Sequence, residues 1–311
     1  MKILFTGGSS FTGFWFIEEL IENGHDVVMT LRASINDYTG VRKQRIEQLH
    51  GKCTILENTN FGDERFLETI RREKNFDMLC HHAADVTNYK SSDFDICAAL
   101  QNNTHNIQHV LQSLAEQGCH KIVLTGSVFE ADEGAGSDSL DAFSPYGVSK
   151  GLTADVFRYY SHIFNLDMGK FVIANPFGPY EEPRFTSYLA RTWLNNEIAE
   201  VRTPDYVRDN IHVSLLAKEY HDFVERVYRN SGTMRHNPSG YIGTQGAFTM
   251  LVAEQMRERL NRPCEVSLLT QTSFEEPHIR INTDSPNTKN GSWNESASWD
   301  SFAAYYLKQY Q

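Results

Sequence analysis

The sequence predicts an α/β fold: a doubly wound parallel sheet with a smaller C-terminal lobe. Three observations carry this. Short, nearly continuous apolar runs alternate with segments of helical periodicity through the first half of the chain. A glycine-rich turn, Thr6-Gly7-Gly8-Ser9-Ser10-Phe11-Thr12-Gly13, separates the first run from the first periodic segment. After Ala174 the texture changes, with prolines at Pro176, Pro179, Pro183 and Pro204 and irregular stretches between helices.

The elements follow in order. Lys2–Thr6 is a short apolar strand, and Thr12–Asn23 is a helix with Phe16, Ile17, Leu20 and Ile21 on one face. Asn23-Gly24 stops that helix. Asp26–Leu31 and Cys53–Leu56 read as strands, Asp63–Arg72 as a helix and Phe76–His81 as a strand. One long helix is expected from Ser92 to Gln117, ended by Gly118. Lys121–Thr125 is a strand, Pro145–Phe164 a helix and Met168–Ala174 a sixth strand. Later helices are expected around 186–195, 214–229, 245–260 and 297–308. Residues 1–174 are thus read as a Rossmann unit. Residues 175–311 are read mainly as a substrate-binding lobe, interleaved with the sheet at the C-terminal edges of its strands.

Composition narrows the class. The chain has 311 residues, 40% of them hydrophobic, which is enough for a sizeable core. It carries 29 Lys+Arg against 40 Asp+Glu, a net charge of −11. That balance disfavours general binding to nucleic acid or an anionic membrane. Cys53, Cys80, Cys97, Cys119 and Cys264 are scattered, without a CxxC pair, so neither a disulfide framework nor a structural zinc site is expected. The first residues are too short an apolar run for a signal peptide, and no stretch approaches the ~20 residues of a membrane span. The sequons at Asn102 and Asn294 are read as chance occurrences. The expectation is a soluble cytoplasmic protein.

The glycine-rich turn lets backbone N–H groups approach a pyrophosphate, helped by the N-terminus of the helix that follows. Gly7, Ser10, Phe11, Thr12 and Gly13 are the candidate cofactor residues; a ligand-free tight turn is the alternative. The second strand ends Thr30-Leu31-Arg32 with no acid before Asp37. An acid there would hold a ribose 2′-OH, whereas Arg32 suits a 2′-phosphate, so NADP is favoured over NAD. Tyr146 and Lys150 stand at i and i+4, on one helix face. A free tyrosine titrates at about 10, and a nearby ammonium lowers that value toward working pH. Such a tyrosine exchanges a proton with a hydroxyl or ketone during hydride transfer.

These residues, with several further motifs, resemble the extended short-chain dehydrogenase/reductases, the NAD(P)-dependent epimerase/dehydratase group acting on nucleotide sugars. Thr6–Gly13 corresponds to that group's opening loop, and His81-His82-Ala83-Ala84 to its turn after the fourth strand. Asn103, Thr125-Gly126-Ser127, Ser144–Lys150, Asn175-Pro176-Phe177-Gly178-Pro179-Tyr180 and Arg208-Asp209-Asn210-Ile211-His212-Val213 follow in order. The resemblance covers nearly the whole chain. It implies that Thr125 hydrogen-bonds the reacting sugar oxygen, Tyr146 is the acid/base and Lys150 holds the nicotinamide ribose. Ala83 would line the cofactor, and Pro176 would lie near its nicotinamide end. Asn175 and Arg208 would hold the substrate diphosphate. Asp85 and Asn88 are candidates at the cleft mouth. Ser127 also carries a hydroxyl, so it joins the substrate-binding set.

Two departures matter. Ser10 replaces the middle glycine of the loop, and its Cβ is expected to crowd the pyrophosphate. Thr125-Gly126-Ser127 stands where the group's 4,6-dehydratases carry an Asp-Glu pair for elimination. Glu130, Asp132 and Glu133 follow nearby but out of register, and read as a solvated acidic loop. The leading expectation is therefore a nucleotide-sugar epimerase or 4-ketoreductase. A dehydratase with another base, a small-carbonyl reductase and a non-catalytic dinucleotide sensor are the alternatives. No metal site is expected: His81 and His82 point to opposite strand faces, and the i,i+4 pair His105 and His109 has no third ligand. Phe14-Trp15-Phe16 is read as core. Phe157, Tyr159 and Tyr160 suit either a homodimer interface or a buried face.

Overall fold

Ile3, Leu4 and Phe5 are all fully buried, although consecutive side chains of a strand point to opposite faces. Their strand, β1 (Lys2–Thr6), is therefore covered on both sides. The chain continues through α1 (Phe11–Glu22), β2 (Asp26–Thr30), α2 (Gly40–Leu49), β3 (Thr54–Leu56), α3 (Glu64–Glu73), β4 (Met78–His81), α4 (Ile96–Asn103) and α5 (Ile107–Glu116). Next come β5 (Lys121–Ser127), β6 (Ala135–Gly136), α6 (Pro145–Ile163), β7 (Asp167–Ile173), β8 (Asn175–Phe177), α7 (Phe185–Leu194), β9 (Ala199–Val201) and β10 (Val207–His212). The last elements are α8 (Val213–Arg229), β11 (Thr233–His236), β12 (Tyr241–Thr244), α9 (Gln245–Leu260), β13 (Val266–Leu268), β14 (Ile279–Ile281) and α10 (Glu295–Tyr310). The computed structural model describes residues 1–89, 91–287 and 293–310.

The main sheet has seven strands in the order β11-β7-β5-β4-β1-β2-β3, and neighbours along it run parallel. This is the doubly wound sheet the sequence predicts. The direction of winding reverses between β1 and β4, where Thr6 pairs with His81. Ligands of open α/β sheets sit beyond the strand ends at such a reversal.

The chain divides into two compact units: residues 1–133, 141–173 and 217–237, and residues 134–140, 174–216 and 238–311. The first holds the main sheet. One apolar cluster there joins Leu4, Val28, Phe66, Leu79, Leu111, Ile122 and Phe157. Elsewhere in that unit, Phe16 stacks on Tyr220 at 3.9 Å, with Phe171 edge-on to Tyr220 at 5.0 Å. The second unit holds a mixed sheet, β12-β10-β14-β6, with β8 also paired to β10, and a small β13-β9 pair. Its core gathers Trp193, Phe248, Met256, Trp299, Phe302 and Tyr306. Truncating one such ring to alanine costs about 3–5 kcal/mol, so this cluster carries much of the unit's stability.

Several elements differ from the sequence reading. The helix expected from Ser92 to Gln117 is two helices, starting only at Ile96, where Asp95 accepts a hydrogen bond from Ala98 N (2.9 Å). It breaks at Asn106, which takes a left-handed φ of 49° and donates from its side chain to Gly62 O at 2.8 Å. The i,i+4 geometry assumed for His105 and His109 is lost with that break. α2 escaped notice because only Arg45, Ile46 and Leu49 of its ten residues are buried. The seventh strand, β11, escaped because Thr-Met-Arg-His is short and polar.

Candidate active site

The phosphate loop follows β1. Gly7 has φ +80°, and a Cβ there would sit 2.7 Å from Ala83 N, so no other residue fits. Ser10 caps α1: its hydroxyl accepts from Gly13 N (3.2 Å) and donates to Gly7 O (2.8 Å). Its φ of −74° and ψ of 165° are ordinary for any L-residue. Ser10 thus costs the loop no backbone strain, and its oxygen is turned onto the loop's own backbone. Phe11 and Thr12 supply the first N–H groups of α1, which have no acceptor within the helix. A residue the sequence reading missed supports the loop from below. Arg45 is fully buried, and its Nη1 donates to Ser9 O at 2.7 Å. Nothing in α2's periodicity marks it.

Ala83 N and His82 N both donate to Thr6 Oγ1, at 3.1 and 3.2 Å. This draws the turn after β4 against the end of β1. Arg32 follows β2 by two residues, in an exposed position. Asp85 accepts from Thr87 N and Asn102 Nδ2, both at 3.0 Å, and its N donates to Asn103 Oδ1 at 2.8 Å. Burial works against ionisation of Asp85, but these bonds and the charge of Arg32 hold its carboxyl below the usual range. It is a stable carboxylate, unsuited to donating a proton.

α6 delivers the Tyr-Lys pair. Ser144 caps it by accepting from Gly147 N at 3.0 Å, and Pro145 occupies the first turn. Gly147 must be glycine, since a Cβ there would overlap the Phe129 carbonyl. The ring of Tyr146 is bounded edge-on by Tyr89, Phe94 and Phe129, with centroids at 5.5, 6.1 and 6.4 Å. One turn later Lys150 is 4% exposed, and its Nζ donates to Thr125 O at 2.5 Å. Burial pushes its pKa down to about 8, Lys170 adds to this, and Glu130 opposes it.

Thr125 and Ser127 share one face of β5. Thr125 Oγ1 lies 2.9 Å from His82 Nδ1, deep in the unit. Ser127 Oγ accepts from Phe129 N at 3.2 Å, and Ser127 N donates to Glu130 Oε1 at 2.6 Å. Glu130 and Glu133 are 0% and 2% exposed and share Lys170, at 2.5 and 2.7 Å. Glu133 also accepts from Asn237 Nδ2 at 2.8 Å. The solvated acidic loop expected here holds only for the exposed Asp132; Glu130 and Glu133 form a buried ion cluster. Lys170 serves both carboxylates and Arg235 lies 3.6 Å from Glu133, so the two negative charges meet two cations where an unpaired charge would be costly.

The remaining expected residues belong to the second unit. β8 runs beside β10, with Asn175 opposite Asn210 and Pro176 opposite Ile211. Asn175 Nδ2 donates to Asp209 O at 3.2 Å. Arg208, expected as a diphosphate clamp, already has partners. Nη1 donates to Val207 O and Pro277 O (both 3.0 Å) and to His278 O (3.2 Å), and Nη2 pairs with Glu276 at 2.9 Å. Its guanidinium also lies 4.4 Å from the Tyr206 ring centroid. Asp209 beside it is buried, which pushes its pKa up to about 6 against hydrogen bonds from Gly240 N and Asn282 N.

Burial and spacing also bear on two surface readings. Phe157 is fully buried and cannot serve an interface, whereas Tyr159 is exposed. Among the described residues, one group of potential metal ligands comes together: His25, His221 and Glu225, with ligand atoms within 4.8 Å of one another. His221 and Glu225 are i,i+4 on α8, a spacing the sequence reading passed over. Arg229 already pairs with that Glu225.

Residues 3–232 match the model of the NAD dependent epimerase/dehydratase family. The UDP-glucose 4-epimerase of Bacillus subtilis is 22% identical over 289 residues, 84% of this chain and 82% of its own. The crystal structure of UDP-glucose 4-epimerase from Thermotoga maritima, with UDP-glucose, superposes with a TM-score of 0.74 at 17% identity, covering 100% of both chains. That of UDP-glucuronic acid 4-epimerase from Bacillus cereus, with UDP-glucuronic acid and NAD, gives 0.75 at 16% identity and the same full coverage. At these identities the solved structures establish the fold. The glycine-rich turn at the winding reversal, the buried lysine one turn after Tyr146 and the match over residues 3–232 lead to one conclusion: the chain belongs to the NAD-dependent epimerase/dehydratase family, the extended short-chain dehydrogenase/reductases.

Proposed function

We propose that the protein is a nucleotide-sugar epimerase that oxidises and re-reduces a sugar carbon at Tyr146. The observation that carries this is the Tyr146–Lys150 pair on α6, with Lys150 buried against the end of β5. The first unit fits a dinucleotide. The Gly7 position leaves no room for a side chain, and the N-terminus of α1 offers N–H groups to a pyrophosphate. The nicotinamide supplies the hydride acceptor and donor. Tyr146 takes the proton of the reacting hydroxyl and returns it when the carbonyl is reduced. Lys150, mostly ammonium at neutral pH, stabilises the phenolate that forms between these steps. Ser127 lies on the same strand end and can hydrogen-bond the sugar oxygen. Elimination loses support: Asp85 is held as a carboxylate, and Glu130 is spent on Ser127 N and Lys170.

The substrate class proposed is a nucleoside-diphosphate sugar, with Asn175 and Arg208 as the diphosphate residues and Pro176 near the nicotinamide. UDP-glucose and UDP-glucuronic acid are the first compounds to test, because structural relatives bind them. A second reading, a 4-ketoreductase using NADPH, is favoured by Arg32 and the missing acid at the end of β2. A homodimer through α6 completes the proposal, since Leu152, Tyr159 and Ile163 form an exposed apolar stripe there.

The deciding experiment pairs turnover with cofactor binding. Wild-type protein should interconvert C4 epimers of a UDP-sugar, followed by NMR. Tyr146→Phe should lose turnover by about 10²–10⁴-fold, the scale of a lost general acid/base, while NAD(H) binding persists. Turnover unchanged in Tyr146→Phe overturns the mechanism. Product formed only from a keto sugar with NADPH selects the reductase.

A further inference from the structure

His25 stands in the turn between α1 and β2, just after Gly24, whose φ is +81°. Its side chain is 7% exposed. Nδ1 faces the Met1 amino group at 3.4 Å. Nε2 is buried and has no hydrogen-bond partner among the described residues. A buried polar atom left in that state calls for a ligand or another physical reason. Across from it stands α8. Glu225 Oε1 is 3.5 Å from His25 Nε2. The His221 ring lies 5.3 Å from the His25 ring, centroid to centroid, tilted by 39°. His221 and Glu225 are i,i+4, so both project from one face of the helix. One ligand atom from each of the three residues lies within 4.8 Å of the other two.

Two imidazoles and a carboxylate are a donor set for first-row divalent ions, zinc above all. Around a tetrahedral zinc with bonds of about 2.0–2.2 Å, ligand atoms stand about 3.4 Å apart and two imidazole centroids about 5 Å apart. The 3.5 and 5.3 Å of this cluster are close to both values. The surroundings suit an ion as well. Asp222 Oδ1 lies 3.2 Å from His221 Nδ1. A carboxylate in that place takes the Nδ1 hydrogen and leaves the Nε2 lone pair free, which is how metal-binding imidazoles are commonly held. Arg229 pairs with Oε2 of Glu225, the oxygen other than the one 3.5 Å from His25. Arg229 is exposed, so that pair is weak. A plain ion pair between protonated His25 and Glu225 is the competing account. It leaves His25 Nε2 without a hydrogen bond in a buried position.

We propose that His25, His221 and Glu225 form a binding site for a divalent transition metal, with zinc the ion that fits. All three residues belong to the first unit. The ion would tie the turn that leads into β2 to α8, with water in the fourth tetrahedral position. The site shares no residue with the Tyr146–Lys150 pair or the glycine-rich turn, and it holds whatever reaction the protein performs.

The test uses the whole chain, stripped of metal with a chelator and titrated with Zn²⁺ by calorimetry. Wild type should bind one zinc per chain, and Mg²⁺ at the same concentration should not bind, because it prefers oxygen ligands. Zinc at a hundred times its Kd should raise Tm by about 5 °C. His221→Ala and Glu225→Gln should each abolish that rise and weaken zinc binding by more than about 10²-fold. Asp222→Asn should weaken it about tenfold, the effect of losing an orienting partner. Absence of saturable zinc binding by wild type overturns the proposal and leaves the ion pair. Equal zinc Kd values for wild type and His221→Ala also overturn it, since the ion then sits elsewhere. If the α8 variants do not fold, X-ray absorption of zinc-loaded wild type decides. Two imidazoles with oxygen ligands support the site, whereas sulfur at about 2.3 Å assigns the ion to a cysteine and overturns it.

Discussion

Lys150 loses most of its water on folding, and its pKa falls to about 8. The ammonium that Tyr146 needs is therefore present at pH 7 and disappears as pH rises through 8. Activity at low substrate, which reports the free enzyme, should fall on the alkaline side with an apparent pKa of about 8. A kcat/KM that stays flat from pH 7 to 9.5 would remove Lys150 from the mechanism. The same residue shows what a sequence can disclose. Tyr146 and Lys150 are legible because a covalent spacing of four fixes their shared helix face. Arg45 and His82 are not legible. An arginine among polar helix residues and the second of two histidines acquire meaning only through partners at Ser9, Ser10, Thr12 and Thr125. Arg208 marks the opposite case: its motif reads clearly, yet the charge it meets, Glu276, lies far along the chain and could not be foreseen.

At the scale of elements, α6 is the best defined by its own residues. Its cap, its N-terminal proline and its tight first turn are all written in Ser144, Pro145 and Gly147. Its outer stripe carries a prediction. Tyr159 is 61% exposed between Leu152 and Ile163, on the face proposed for the homodimer. Tyr159→Glu should convert the dimer to monomer in sedimentation velocity, because a desolvated carboxylate opposite its own copy has no partner. A wild-type monomer at micromolar concentration would dismiss the interface outright. Elements that pack by few apolar residues were the hard ones to read. α2 buries three side chains, one of them an arginine. The break between α4 and α5 depends on Asn106 reaching Gly62 O, a contact that helical periodicity does not register.

For the whole molecule, stability should depend on Glu181. It is buried in the second unit, accepting from Thr186 and from Tyr306 at 2.8 Å. Burial dominates and raises its pKa from 4.5 to about 7, against those hydrogen bonds. The fold thus prefers the protonated form. That contribution is complete below about pH 4.5 and is lost as pH rises through about 7. Glu181→Gln keeps an acceptor for both hydroxyls and cannot ionise. Its Tm relative to wild type should climb between pH 5 and 8; a difference independent of pH would show that Glu181 does not titrate in this way.

The outermost strands of the seven-stranded sheet have a bearing on solubility. β3 has three residues and β11 four, with Arg235 among them. A sheet edge offers unpaired N–H and C=O groups to any other extended chain, and a long apolar edge is a template for aggregation. Here both templates are cut short, and one is charged. These two short strands, one of them too polar for periodicity to detect, thus limit the growth of the sheet beyond its seventh strand.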